Sequence, residues 1–467
     1  MNKRPLSPQL HGGQNIKKFV HLHQLSTLTR EVILNCQEFG GVEFTYGTLA
    51  SSMNAIRDIQ GFIAQGRIDR GNPDQVVDDL HPLVHTQWSL NRRNERASYI
   101  LRYAQIYGKE ELNKFIVEEF GVPIVECYYL ALYATASLQS QPGFLATQEL
   151  ETFGISSEQS GQFFRKLSSP IREIKEKLKA LERYDDNWEY TWNAVSATPF
   201  IILEHAHPER LYCPMPSFIW GRLGHGLFYD LKDFKNFGNH YGSAFEGYIG
   251  ELLESTLQEG RFTIVGETPY HMDGNLKHGT DWIVTDGFSN IFIECKTKRM
   301  TLDAIQLSAE DALRRQLNVL AQAGVQLYKN MIEAQNGLPH WDKNDRKSYP
   351  VIVTLEDWIL FGPPIKDKFN AELEALLERE GLEKAIMVSS PITVVSCQEF
   401  EEMVAVLSAT GIEEFFMKKN SEQYNEWMVD VFIRSAFPNI PAVHYEKVEK
   451  KWNELDAKLR INSQEAK

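Results

Sequence analysis

The residues best suited to chemistry lie in one stretch, Gly279-Thr280-Asp281-Trp282-Ile283-Val284-Thr285-Asp286-Gly287-Phe288-Ser289-Asn290-Ile291-Phe292-Ile293-Glu294-Cys295-Lys296. Asp286-Gly287 between two apolar runs signals a tight hairpin. The run Ile291 to Ile293 is β-branched and aromatic, as a buried strand prefers. It ends in a carboxylate and an ammonium two residues apart. Side chains alternate along a strand, so Glu294 and Lys296 share a face and Cys295 points the other way. A charge at the end of a buried strand is costly unless it is paired or holds a metal. A turn over Asp286 to Ser289 pairs Thr285 with Asn290 and Asp281 with Glu294, so two carboxylates and a lysine can converge. Such oxygen ligands suit a hard cation, Mg²⁺ or Mn²⁺. Blander readings stay open here. Glu294 and Lys296 also fit a solvated edge pair worth under about 1 kcal/mol, and Asp281 also fits a turn cap.

These residues need a scaffold, and the flanking sequence supplies one. Ser243 to Leu257 has Phe245, Tyr248, Ile249, Leu252, Leu253 and Leu257 on one helical face. Glu251 and Glu254 fall on the solvent side. Glu246 falls about 70° from the centre of the apolar face, at the edge of the buried arc. It is therefore the helical glutamate expected to face the rest of the domain, with an exposed role as the alternative. Phe262 to Pro269 reads as a strand, Ser308 to about Asn336 as a long helix and Tyr349 to Leu355 as a strand. Lys366 to Glu380 reads as a helix and Ala385 to Val395 as a strand broken by Pro391. Ser396-Cys397-Gln398-Glu399 is a capping box opening another helix.

Residues 1–200 read as a helical domain, with helices over Ala97 to Tyr107, Glu110 to Phe120 and Pro123 to Leu138. Glu149 to Phe164 reads as helix, break and helix around Gly154-Ile155-Ser156, an ordinary helical hairpin before a DNA-reading one. Residues 201–240 are expected to be an aromatic, Pro- and Gly-containing connector. The catalytic-looking domain then covers 241–420, and a helical tail covers 421–467, with a charged segment from Tyr445 to Arg460.

The chain has 467 residues and a net charge of −14, from 49 basic and 63 acidic residues. That balance argues against a broadly electropositive nucleic-acid binder, but leaves room for a narrow basic cleft or metal-assisted contacts. No apolar run reaches the ~20 residues needed to span a bilayer, and Met1 to Leu10 has no signal-peptide core. The five cysteines are scattered without a CxxC pair. The expectation is a cytoplasmic protein with reduced thiols and no membrane partner.

The order of a helix with Glu246, a strand, a strand with Asp281, a strand ending Glu294-Cys295-Lys296, then helix and strand resembles the PD-(D/E)XK nuclease superfamily, which includes restriction endonucleases. The resemblance covers roughly 238–410. The proline that the family carries before its aspartate is replaced by Thr280. The resemblance implies an α+β chain whose second part is a restriction-endonuclease-like α/β/α core with a mixed sheet. It implies that Asp281, Glu294 and the backbone carbonyl of Cys295 hold a divalent metal, and that Lys296 orients or helps to deprotonate the attacking water. Glu246 would hold a second metal or a metal-bound water. Lys298 and Arg299 after the motif, and Arg314 and Arg315 on the next helix, would meet phosphate. The expected activity is a metal-dependent DNA endonuclease, in a setting such as bacterial anti-phage defence. The alternatives are a silent scaffold with the same fold and an RNase. The helical N-terminal domain would serve a protein activator, target recognition or self-association.

Overall fold

The computed structural model describes residues 21–37, 45–69, 80–88, 97–272, 274–306, 311–337, 341, 343–360 and 362–440. The expected charged helix from Tyr445 to Arg460 lies outside them. The chain is α+β and divides into two compact units, Met1–Arg96 with Asn113–Leu231, and Ala97–Leu112 with Lys232–Lys467. Among the described residues no helix is long and apolar enough to cross a membrane.

The first unit is helical with one small sheet. Its helices include Leu22–Asn35, Tyr46–Asp69, Ile124–Ser140 and Ile171–Leu181. Four three-residue strands, Gly143–Leu145, Arg210–Tyr212, Phe200–Ile202 and Ser168–Pro170, form a sheet in that order. Phe144, Phe164 and Phe200 meet edge to face across it at centroid distances of 4.9 to 5.3 Å. The sequence pattern misses this sheet, because three residues are too few for an alternating signal. The expected helix before Gly154 is a single 3₁₀ turn, Glu151–Phe153. Gly154 closes it at φ 68°, and Ser156 then caps Ser157–Lys166 with a full capping box. Residues 201–231 are not a connector: they supply two of the strands and the helices Ser217–Leu223 and Leu227–Leu231.

The second unit is built on a five-stranded mixed sheet. In chain order its strands are β1 (Thr263–Gly266), β2 (Trp282–Thr285), β3 (Ser289–Lys296), β4 (Lys347–Thr354) and β5 (Thr393–Ser396), and they lie side by side as β5-β4-β3-β2-β1. The β1/β2 and β2/β3 pairs are antiparallel; β3/β4 and β4/β5 are parallel. Helices α2 (Phe237–Thr256), α3 (Ala312–Asn336), α4 (Pro363–Arg379), α5 (Cys397–Thr410) and α6 (Ile412–Lys419) lie about the sheet, and α1 (Ala97–Tyr107) packs on α2. On one face Ile283, Phe292 and Ile352 pack with Leu317, Leu320, Tyr328, Leu373 and Leu377 from α3 and α4. The other face meets α2, α5 and α6, as where Tyr349 stacks on Phe416 at 4.4 Å. Both faces of β3 are covered, and every residue from Ser289 to Cys295 is buried. That explains its unbroken apolar run.

The Asp286-Gly287 turn forms as its residues dictate. Asp286 Oδ1 accepts from the N–H groups of Phe288 and Ser289 at 3.0 and 2.9 Å, and Gly287 takes φ 85°. Asp286 Oδ2 accepts from Ile412 N at 2.8 Å, which also caps α6. The Ser396–Glu399 capping box opens α5. Two expectations shift. Ala385–Ser389 is a short helix, and only Thr393–Ser396 is strand, after Pro391. Helix α2 begins at Phe237, six residues before the expected start, because Phe237 and Tyr241 are buried and anchor that first part.

Helix α1 belongs to this unit although it precedes most of the other unit in sequence. Arg102 donates to both oxygens of Glu401 on α5 at 2.6 and 2.8 Å, and Tyr248 of α2 donates to Glu401 Oε1 at 2.7 Å. Arg102 and Glu401 are both buried. Bidentate geometry and the added hydroxyl satisfy charges that would otherwise be costly there.

The packing of α2 on the sheet depends on Trp282 of β2. Its ring lies over Gly250, and a Cβ at Gly250 would overlap the ring atoms. Its indole N–H donates to the Glu246 carbonyl at 3.1 Å. Gly250→Ala is expected to lower the stability of this unit by about 1–3 kcal/mol, measured by urea unfolding. A change below about 0.5 kcal/mol would mean that Trp282 does not fix the helix.

Candidate active site

The site forms where β2 begins and β3 ends. Trp282 pairs with Ile293 and Thr285 with Asn290, the register expected from the turn. Continuing it by one residue sets Asp281 opposite Glu294. Here β2 leaves the ladder and side chains take over the bonding. Thr280 Oγ1 donates to the Ile293 carbonyl at 2.6 Å, and Asp281 Oδ2 accepts from Cys295 N at 2.6 Å. Thr280 is buried, and its hydroxyl pins the start of β2.

Glu294 is 7% exposed. Its Oε1 accepts from Lys296 Nζ at 2.6 Å, while Oε2 is buried with no hydrogen-bond partner. Burial, then the Asp281 charge, push the Glu294 carboxyl up to about 7 against the pull of Lys296. Burial also raises Asp281, to about 6, against the Cys295 N–H that favours its anion; Glu246 adds to the rise. Burial opposes the Lys296 charge, but Glu294 outweighs it and holds the ammonium above its ordinary value. Lys296 Nζ donates to Glu294 Oε1. The Cys295 thiol lies on the opposite face, and burial pushes it far up. Within a strand, N–H and C=O of one residue face the same neighbour. The Cys295 carbonyl is thus directed toward the Asp281 edge, where its N–H already is.

Glu246 reaches this site from α2. Burial, then the charges of Glu267 and Glu294, raise its carboxyl, and its own charge is felt by Asp281. Of the expected phosphate-binding residues, Lys298 is exposed just past β3. Arg299 is not at a cleft mouth. Its side chain is 11% exposed, and it lies against Glu356 Oε1 at 3.4 Å and donates to Tyr241 Oη at 3.1 Å. Arg314 is exposed but holds Glu372 of α4 at 2.6 Å, and Arg315 beside it is exposed.

Sequence reasoning missed Glu267. Gly266 pairs with Trp282, so Glu267 stands opposite Asp281, and its N–H donates to the Asp281 carbonyl at 2.8 Å. Glu267, Asp281 and Glu294 thus form one rung across β1, β2 and β3. Strands lie about 4.8 Å apart, and like charges directly opposite repel. The charge of Glu267 is felt by Asp281, Glu294 and Glu246. The glutamate sits inside the expected strand Phe262 to Pro269. Its register against Asp281 is hidden by the intervening chain, which forms a hairpin of its own, Tyr270–Met272 with Asn275–Lys277.

Among the described residues no three His, Cys, Asp or Glu side chains form a ready metal cage. An orphaned carboxylate oxygen beside a second raised carboxyl fits a small hard cation nevertheless. Mg²⁺ is commonly held by one or two carboxylates, with water and substrate oxygens completing its shell. No family profile, curated protein or solved structure matches the chain.

Both folded-state carboxyl values lie above the ordinary ones. Protonation of Asp281 and Glu294 therefore favours folding, fully below about pH 4 and progressively less as pH rises through about 6 and about 7. In cation-free buffer the melting temperature is expected to fall between pH 5 and 8. Glu294→Gln should flatten that fall and gain about 2 kcal/mol at pH 8, read by calorimetry. An unchanged pH profile in the variant would contradict the assignment.

Proposed function

We propose that the second unit is a metal-dependent nuclease that hydrolyses phosphodiester bonds, with DNA as the expected substrate. The observation that carries the reading is the buried Glu294 carboxylate, one oxygen of which lacks any partner while the other accepts from Lys296, across the strand pair from Asp281. The resemblance of the motif and of its flanking elements to the PD-(D/E)XK superfamily supports it, as does the order of strands around the site. Defence against invading DNA is a setting that suits such chemistry; a fold-level analogy suggests it.

Asp281 and Glu294, with the Cys295 carbonyl, would hold the divalent cation. When bound, that cation supplies Lewis acidity and offsets the charge that builds on the phosphoryl oxygens. The rest falls to the chain. Lys296 Nζ, anchored on Glu294 Oε1, donates toward the attacking water or a phosphoryl oxygen and stabilises the developing negative charge. Thr280 and Trp282 hold the two acidic strands and α2 in register, so the donors need no rearrangement. Lys298 is free to meet a flanking phosphate, a contact that positions the substrate without reading sequence.

The test offers supercoiled plasmid, linear duplex, single-stranded DNA and RNA to the full chain with Mg²⁺ or Mn²⁺. DNA cleavage is expected. Chelation should abolish it, and Lys296→Ala should slow it by about 10²–10³-fold. Cleavage of RNA alone would move the reading to an RNase. Intact substrates, together with no Mn²⁺ binding that Asp281→Asn removes, would leave only a silent scaffold.

A further inference from the structure

We infer that residues 355–358 form a strap that sets the aim of Lys296, with Glu356 and Trp358 as positioning residues for the candidate site. The inference rests on the nuclease reading and adds to it residues that lie outside the PD-(D/E)XK motif.

Strand β3 reaches its last residues with regular pairing on one side only. Its pairing with β2 stops at Ile293, opposite Trp282, and the Asp281 side chain takes over at the Cys295 N–H. On the other side β4 pairs as far as Thr354, opposite Lys296. Both chains then leave the sheet. A lysine at such a strand end has a long flexible stem and no ladder beyond it. Its direction is set by whatever holds the next few residues.

The segment 355–358 holds them at three points. Leu355 N donates to the Lys296 carbonyl at 3.0 Å, and Trp358 Nε1 donates to the Lys298 carbonyl at 2.8 Å. Between them, Glu356 Oε1 lies 3.4 Å from Arg299 Nη2. The strap is itself tied down. Thr354 Oγ1 donates to the Glu356 carbonyl at 2.7 Å, Tyr103 of α1 donates to the Glu356 carboxylate, and Trp358 packs into the core with α3 and α4. Leu355, Glu356 and Trp358 are all buried. Connecting segments ordinarily run over the surface, because buried backbone needs partners. Here the partners are the residues at the exit of β3. With that exit held, Lys296 meets Glu294 Oε1 at 2.6 Å while Lys298 stays exposed. Misplacing such a group by about 1 Å costs up to about 10²-fold in rate.

The test labels the lysines of the full chain with a trace of acetic anhydride, without cation or nucleic acid, and reads Lys296 by mass spectrometry. In parallel, duplex DNA cleavage is followed with Mn²⁺. Acetylation needs the neutral amine, and Glu294 holds Lys296 as the ammonium, so Lys296 is expected to label slowly in wild type. Trp358→Phe keeps an aromatic ring in the core and removes the donor to the Lys298 carbonyl. It should speed Lys296 labelling about threefold or more and lower kcat about tenfold or more with KM little changed. Tyr103→Phe removes the hydroxyl donated to Glu356 and keeps the ring. It should move both readouts the same way by less, and it decides the matter if Trp358→Phe does not fold. Leu377→Ala loosens the same core away from the strap, and both readouts should stay at their wild-type values. Lys296 labelling unchanged in the Trp358 and Tyr103 variants, or raised equally by Leu377→Ala, would overturn the inference whether or not DNA is cut. Faster labelling in the two strap variants of a chain whose wild type cuts nothing would support the strap and remove the nuclease reading.

Discussion

Repulsion between like charges is the constraint around which the second unit is organised. Glu267, Asp281 and Glu294 stand on one rung of three neighbouring strands, and Glu246 adds a fourth charge from a helix. A sheet gains nothing from such a row. The structure holds it together through groups that are indifferent to the repulsion. The Cys295 N–H meets Asp281, the Thr280 hydroxyl meets the Ile293 carbonyl, and the Lys296 ammonium meets Glu294. These bonds keep the carboxylates close and leave them under-neutralised. That is the electrostatic condition in which a divalent cation binds well; burial first, and the neighbouring charges after it, raise two of the carboxyls toward neutral pH.

The buried charges elsewhere in this unit are balanced by contrast. Arg102 and Glu401 satisfy each other in bidentate fashion, with the Tyr248 hydroxyl as a third member. Arg299 lies against Glu356 and Tyr241, and Tyr103 donates to the same glutamate. Both networks use residues from segments distant in sequence to fasten α1 and α2 beside α5 and the end of β4. They are structural: each buried charge in them has an opposite partner. The acidic rung differs because its negative charges outnumber the cations that touch it. Arg299, close in sequence to Glu294 and Lys296, belongs to one of the balanced networks.

Much of the site was legible in residue order. The turn at Asp286-Gly287 sets the parity of β2 against β3, and parity alone brings Asp281, Glu294 and Lys296 to one face. The apolar arc of α2 put Glu246 on its inner edge. What was not legible involves partners distant along the chain. Glu267 and Asp281 are separated by a hairpin whose length gives no register, so their opposition emerges only when β1 docks on β2. Arg299 reads as an exposed cation after a strand, and only the burial of Tyr241, Tyr103 and Glu356 around it turns it inward. The small sheet of the first unit has strands of three residues, too short for periodicity.

The amino-acid sequence by itself determined the local chemistry: a buried strand that ends in Glu294 and Lys296, a turn that aligns Asp281 with it, a helix with one inward glutamate, and the capping box at Ser396. Tertiary structure alone decided the fourth carboxylate, the inward turn of Arg299, the small sheet, and the membership of α1 in the unit that carries the site. The reason is range. Turn residues and side-chain alternation act over a few positions, whereas strand docking and buried ion pairs join residues tens to hundreds of positions apart, and nothing in the intervening chain encodes which of them will meet.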